Sequence, residues 1–295
     1  MDRLVYYHHP SAQNFSLTFS SKSVADLIDR QNEADGETKL MCYPFDKPIY
    51  VLYQGTATTE TVSEVQFDVD WLKDRLRDQP RGTTVVTFRL MELLQAASEV
   101  RDDDDFRLYK DFEPDQIHSA IENVSWGESL PVVAGELMSN LILKHALPNA
   151  NHRTGIAMLQ FCIDSVDSTF EMPSTHVDDQ TWKAWVDPYI VDSKRLLTVR
   201  RNNVRFQHLQ DLGVDSVERK GGIQIRLADY DLDMHWRDAL TEYARRHEAH
   251  CVAFAEEVLE RAGRSELQDR SGPTKVEFID FLETNVLNRE LTDLF

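Results

Sequence analysis

The chain is poor in cysteine, in lysine and in long apolar runs, and each shortage closes off a class of explanation. Cys42, Cys162 and Cys251 stand far apart and form no Cys-x-x-Cys pair. Neither a disulfide framework nor a thiolate metal site is therefore expected, only reduced and mostly buried thiols. No stretch approaches the roughly 18 consecutive apolar residues that a membrane span needs. The opening residues, Met1 to Pro10, lack the apolar stretch of a signal peptide, so a cytoplasmic location with no membrane partner is the expectation. Three glycine motifs are missing as well: Gly-x-x-x-x-Gly-Lys-(Ser/Thr), the dinucleotide glycine fingerprint and the Gly-x-Ser-x-Gly elbow.

What is present is negative charge. Asp and Glu together number 51 against 32 Lys and Arg, for a net charge of −19 over 295 residues. Arg (22) outnumbers Lys (10), and Asp (30) outnumbers Glu (21). A carboxylate-rich surface with little lysine stays hydrated in concentrated salt and repels itself at low ionic strength, so a halophilic source is expected. The same charge argues against nucleic acid as a partner, because phosphate backbones call for a basic footprint. One basic cluster stands out, Arg200-Arg201 with Arg195 and Arg205. Neutralising the acidic surface is its first reading, and receiving a phosphate or an acidic partner its second. Asp102 to Asp105 reads as a solvated loop.

Periodicity predicts a mainly helical protein with small β-hairpin elements. Residues 22–32 space their apolar positions for a surface helix. Residues 49–54 are rich in β-branched and aromatic types and predict a strand. A tip at 55–60 and a second extended stretch from Val62 to Val69 would complete a hairpin. Helices are predicted near 70–78, 86–100 and 114–124. Pro131 suits the first turn of another helix, in which Leu137, Leu141 and His145 share one face. Residues 155–163 are apolar nearly all round, which places their helix in the middle of a domain. Further helices are predicted at 178–191, 193–211, 233–262 and 274–290. A hairpin is expected around Lys220-Gly221-Gly222, between Val214–Val217 and Ile223–Leu227. These elements suggest three consecutive blocks: an N-terminal α/β extension at 1–80, a helical core at 81–200 and an additional C-terminal helical module at 201–295.

The segment with most chemistry joins two of those core helices: His145-Ala146-Leu147-Pro148-Asn149-Ala150-Asn151-His152-Arg153-Thr154. An imidazole titrates near neutral pH and can serve as a general base with little tuning. Asn149 and Asn151 tolerate left-handed backbone, so the amides of 149–153 can form an anion-binding nest at the positive end of the following helix. Arg153 adds a planar fork suited to phosphate oxygens.

This segment resembles the central motif of the Fic/Doc family, whose members move phosphate-containing groups from nucleotides to protein hydroxyls. The Fic pattern is His-Pro-Phe-x-(Asp/Glu)-Gly-Asn-Gly-Arg-x-x-Arg, and the Doc (death-on-curing) branch reads His-x-Phe-x-(Asp/Glu)-Ala-Asn-Lys-Arg-Thr. His145, Ala150, Asn151, Arg153 and Thr154 match the Doc form, and the likeness covers roughly residues 112–165. It implies a Fic/Doc-type helical core, ATP or another nucleotide as donor, a protein substrate carrying a hydroxyl and, for a toxin-type member, an antitoxin partner. His145 and Arg153 would be catalytic, and Asn149, Ala150, Asn151, His152, Arg153 and Thr154 would hold the phosphates.

Departures from the pattern matter. Leu147 replaces Phe, an apolar exchange of small cost. Asn149 stands where the family carries the acidic residue that helps to hold Mg²⁺, and a neutral carboxamide is a weaker ligand for a hard cation. His152 replaces Gly or Lys. Ile156 replaces the second Arg of the AMP-transferring branch, which favours phosphate transfer over AMPylation. A degenerate member that binds a nucleotide or a partner without catalysis is the third reading. The family's inhibitory motif has no match; Thr56 to Glu60 has its spacing, but Thr61 follows. The hairpin at 49–69 is a candidate flap for aligning the target.

Two other features carry less weight. His247 and His250 are three apart rather than the four of a helical zinc pair, so they read as incidental histidines on a helix face, and His8-His9 is weaker still. Trp182 and Trp185 fit one helix face and read as core packing.

Overall fold

The computed structural model describes residues 2–55, 74–99, 113–145, 151–178 and 181–285, with the backbone alone at 94–99. It is mainly helical with two small sheets. The chain divides into two discontinuous units, Met1–Thr58 with Val191–Arg245, and Thr59–Ile190 with Arg246–Phe295. Three consecutive blocks were the expectation from local pattern; pairing between residues 4–6 and 216–218 ties the third block to the first instead.

The first unit holds both sheets. Strands β1 (Leu4–Tyr6), β6 (Ser216–Arg219) and β7 (Ile223–Arg226) form one sheet, with β1 parallel to β6 and β6 antiparallel to β7. Strands β2 (His8–His9), β3 (Ala12–Ser21), β4 (Thr38–Tyr43) and β5 (Ile49–Gly55) form the other, in the order β2-β3-β5-β4. The predicted strand at 49–54 is thus the centre of a sheet, with both edges taken by β3 and β4. The expected second hairpin stretch, Val62–Val69, lies outside the described residues. Strand alternation turns Val51 and Tyr53 to one face and Leu52 to the other, where helix α1 (Val24–Asn32) packs across β3 and β5.

Tyr7 joins the two sheets. Its N–H donates to Glu218 O at 2.7 Å, and its carbonyl accepts from Leu17 N at 2.8 Å. A buried tyrosine pair secures the junction. Tyr53 Oη donates to Tyr6 O at 2.8 Å and Tyr6 N–H donates to Tyr43 Oη at 2.9 Å, so the 2.6 Å bond between the two phenols carries the Tyr43 proton. Burial raises both phenol pKa values. Residues from 191 onward in helix α6 (Asp187–Asp211) and up to 245 in helix α7 (Trp236–Arg261) complete this core through Val199, Phe206, Leu209, Ala239 and Tyr243. A helix was expected from 178, but among the described residues Trp182 lies in an isolated bridge and 184–186 form a turn, so α6 starts at Asp187. It runs on past 193 with a break at Asn202 (φ −126°, ψ 19°), whose Nδ2 donates to Thr198 O.

The second unit is helical among its described residues: α2 (Arg81–Glu99), α3 (Pro114–Glu122), α4 (Leu130–Lys144), α5 (Asn151–Asp164), the part of α7 from Arg246 and α8 (Lys275–Thr284). Pro131 opens α4 as expected, and α4 is buried nearly all round. Gly135 explains how it packs so deeply: a Cβ there would stand 2.5 Å from the Val252 Cα of α7. Two buried polar groups on α4 are spent on backbone. Glu136 accepts from Ser125 N at 2.5 Å and Asn140 donates to Asn123 O at 3.1 Å, fixing the turn after α3.

Candidate functional site

Helix α4 ends at His145, and the ending is specific. His145 has φ 51° and ψ 42°, the one positive φ at a non-glycine position among the described residues. Its N–H bonds back to Leu141 O and Ile142 O, each at 3.2 Å, which closes the helix in the left-handed manner usually given to glycine. A β-carbon in that conformation costs roughly 1–2 kcal/mol. The left-handed turn also takes His145 off the row of Leu137 and Leu141, so the histidine leaves that face instead of continuing it. It is half-buried, whereas Leu141 is 5% exposed.

Helix α5 begins at Asn151. Among the described residues of the motif the left-handed one is therefore His145, while Asn151 already starts the helix. The first-turn N–H groups at 151–153 lack partners within the helix and lie at its positive end. Asn149 and Ala150 fall outside the described residues. Within the first turn the side chains separate by depth. Asn151 and Thr154 are buried, and the Thr154 hydroxyl donates to Asn151 O at 3.2 Å, closing the turn from inside. His152 and Arg153 are half-buried and supply the more accessible polar atoms.

The two helices meet at the same end. Gly155, one turn into α5, lies where a Cβ would stand 3.1 Å from Ile142 of α4 and 3.4 Å from Met138. Ile142 is three residues before His145, so this close approach carries the His145 cap and the Asn151–Arg153 turn to one corner.

Sequence reasoning missed what lies beside Arg153. Its guanidinium stands 5.9 Å from the centroid of Trp182, and Trp182 packs on His176 with ring centroids 4.0 Å apart. These two residues pair as an isolated antiparallel bridge. Trp182 is half-buried and belongs to the corner, not to a core-facing helix as expected. Trp185 is also half-buried, stacked on Phe254 at 5.7 Å with the Arg261 guanidinium 4.7 Å from its ring centroid. A tryptophan in an irregular stretch, with four residues between it and the next helix, carried no signal of its own; only the tertiary contact reveals it.

The helical histidines separate. His247 is fully buried with Nδ1 2.8 Å from Ser139 Oγ, and His250 Nε2–H donates to Tyr189 O at 2.8 Å. Cys251, 3.8 Å from His247, has its thiol pKa pushed up by burial and is no nucleophile. No group of three or more His, Cys, Asp or Glu among the described residues is placed to hold a metal.

The model of a family of unknown function, DUF8172, matches residues 1–286. No curated protein and no solved structure matches the chain.

Proposed function

The chain belongs to DUF8172, a family of unknown function, and we propose from its own residues that the α4–α5 corner moves a phosphate-containing group from a nucleotide to a protein hydroxyl, in the manner of the Doc branch. The observation that carries this reading is the meeting of a left-handed histidine cap with a helix N-terminus bearing Asn151, His152 and Arg153. His145 takes the proton of the attacking hydroxyl as its oxygen bonds to phosphorus and the bond to the leaving nucleotide oxygen breaks. Arg153 and the first-turn amides of α5 meet the charge that grows on the transferred group and the leaving group. The half-buried Trp182 face beside Arg153 is an apolar wall of the kind that a nucleotide base stacks on.

ATP or another nucleotide is the donor in this reading. Mg²⁺ prefers several oxygen ligands with at least one carboxylate. The motif offers the neutral Asn149 at the acidic position, a poor fit, and no step is assigned to the ion. AMP transfer is disfavoured because Ile156, at the place of the second Arg, is 6% exposed in the packed face of α5. A binding-only member is the alternative with an observation behind it. Arg153 lies against Trp182 and the Thr154 hydroxyl points inward, which leaves fewer groups for transfer. In a toxin-type version an antitoxin would cover the corner.

Label transfer from ATP into lysate proteins, in high KCl with Mg²⁺, separates these readings. Label from the γ-phosphate alone, lost in His145→Ala, supports the phosphotransferase. Label from the α-phosphate replaces it with AMP transfer. Nucleotide binding without either label favours the binding-only member, and transfer undiminished by His145→Ala removes His145 as the base.

A further inference from the structure

In a chain with 51 acidic and 32 basic residues, cations that stand together without a carboxylate among them call for an explanation. Within the first unit Arg3, Arg30, Arg195 and Arg245 each pair with Asp46, Glu33, Asp192 and Glu242. Of the four basic residues singled out by sequence, only Arg195 therefore does the neutralising first expected of them. Arg200 donates to Leu240 O at 2.9 Å and Arg205 to Asn202 Oδ1 at 2.8 Å. Arg201 is exposed and makes no hydrogen bond or ion pair among the described residues.

Tyr7 and His8 tie the end of β6, which carries two more cations, to the part of α6 that carries Arg201: Tyr7 N–H donates to Glu218 O and its hydroxyl reaches Asn202, while His8 meets the Lys220 backbone. Val217 and Arg219 share a face of β6, and Val217 is fully buried, so Arg219 emerges from the core side toward α6. There Arg219 Nη1 donates to Lys194 O at 3.0 Å, while its buried Nε has no partner. Glu218 points from the opposite face and its carboxylate takes Gln224 Nε2 at 3.4 Å. Lys220 follows at the turn, its backbone N–H 3.4 Å from His8 Nδ1 and its ammonium without a partner. Gly221 and Gly222, both with positive φ, have open space where side chains would stand, so the backbone is bare beside Lys220. Tyr7 completes the border, its hydroxyl donating to Asn202 Oδ1 at 3.3 Å.

Like charges gathered with no counter-charge repel, by about 1 kcal/mol per pair even in water at close range. Burial lowers the proton affinity of Arg200, Arg201, Arg219 and Lys220; Tyr7 opposes this at Arg201 and Arg219, and a neighbouring arginine adds to it at Arg200, Arg219 and Lys220. No carboxylate contributes to any of these shifts. An arrangement of this kind, in a molecule with carboxylates to spare, is matched to an anion from outside.

We propose that Arg201, Arg219 and Lys220, bordered by Tyr7 and the bare Gly221-Gly222 turn, form a binding site for the phosphate groups of a small molecule. Two or more negative charges on one ligand would engage the Arg201 and Arg219 forks and the Lys220 ammonium together. This site is independent of the α4–α5 corner and stands whether or not transfer occurs there.

The test is calorimetric titration of the full chain with inorganic pyrophosphate, with ADP and with a short single-stranded RNA. Variants Arg201→Gln and Lys220→Gln remove exposed side chains that hold nothing in place. Arg270→Gln, an exposed arginine of the second unit, controls for net charge. We expect pyrophosphate to bind, Arg201→Gln and Lys220→Gln each to weaken it roughly tenfold, and Arg270→Gln to leave it unchanged. Equal binding of pyrophosphate and ADP assigns the site to phosphate groups alone, and a strong Arg201-dependent preference for ADP assigns it to a nucleotide. No pyrophosphate or ADP binding at about 10 mM, equal losses in Arg201→Gln and Arg270→Gln, or binding to RNA alone overturns the proposal. So does binding that survives Arg201→Gln but vanishes in Arg153→Gln, which belongs to the other corner.

Discussion

The α4–α5 corner and the Arg201 cluster both suit negative charge, and they are built in opposite ways. The proposed corner draws on one continuous stretch of sequence, in which backbone amides and a single guanidinium would meet the charge and a histidine in a costly conformation ends α4. The cluster draws Tyr7 and His8, Arg201, and Arg219 with Lys220 from three separate stretches, and relies on side-chain cations held apart from carboxylates. A continuous segment announces itself by spacing. An assembled one is visible only through the ion pairs its members fail to make.

The comparison can be broken by mutation. His145→Ala should lower label transfer by about 10²- to 10⁴-fold, the usual range for a general base, without changing pyrophosphate affinity. Simultaneous loss of both would mean that the two places act as one. Gly135→Ala should destabilise by about 1–3 kcal/mol or more, because the added methyl meets Val252 backbone that cannot turn aside. Gly155→Ala should be nearly neutral in denaturant melts. There a gain of about 1 kcal/mol in helix propensity opposes pressure on the Ile142 side chain, which can give. An equal loss at both glycines would show that the corner is packed as rigidly as the α4–α7 crossing.

Salt should act in opposite directions on stability and on binding. Raising KCl should raise the melting temperature, since it screens the self-repulsion of a net −19 chain. It should weaken pyrophosphate binding at the cluster. The smallest expected effect is at His8, whose pKa is lowered from 6.5 to about 4 by burial, then by Lys220 and Arg219. The folded chain therefore prefers neutral His8. This contribution is fully present above pH 6.5 and fades as pH falls toward about 4. Urea midpoints measured across that window should fall less steeply in His8→Gln. In the intact chain, pyrophosphate should move the His8 imidazole midpoint upward, as seen by NMR.

Local pattern sufficed for the long helices. Pro131 and the unbroken apolar faces of α4 and α5 predict both, and the β-branched run at 49–54 predicts β5. It did not suffice for the sheet around β5, because Ala12–Ser21 is rich in Ser and Thr and its buried Phe15 and Leu17 are few. Nor does any local signal join Leu4 to Ser216, a pairing that decides the division of the chain. At the corner the residue types were legible and their depths were not. Apolar spacing alone extends α4 through His145, since nothing but the backbone angle reveals that the histidine caps the helix. Trp182 joins Arg153 only through the fold, and Thr154 turns inward because a threonine early in a helix can bond the preceding turn.

The left-handed cap has a consequence for variation in this protein. A glycine or asparagine at position 145 would sit there at lower conformational cost, so His145→Gly should raise the unfolding free energy by up to about 1 kcal/mol. Directed evolution for heat resistance alone would therefore drift away from histidine at this position. A selection that also demanded activity would hold it in place, and the divergence of the two populations would measure what the imidazole is kept for.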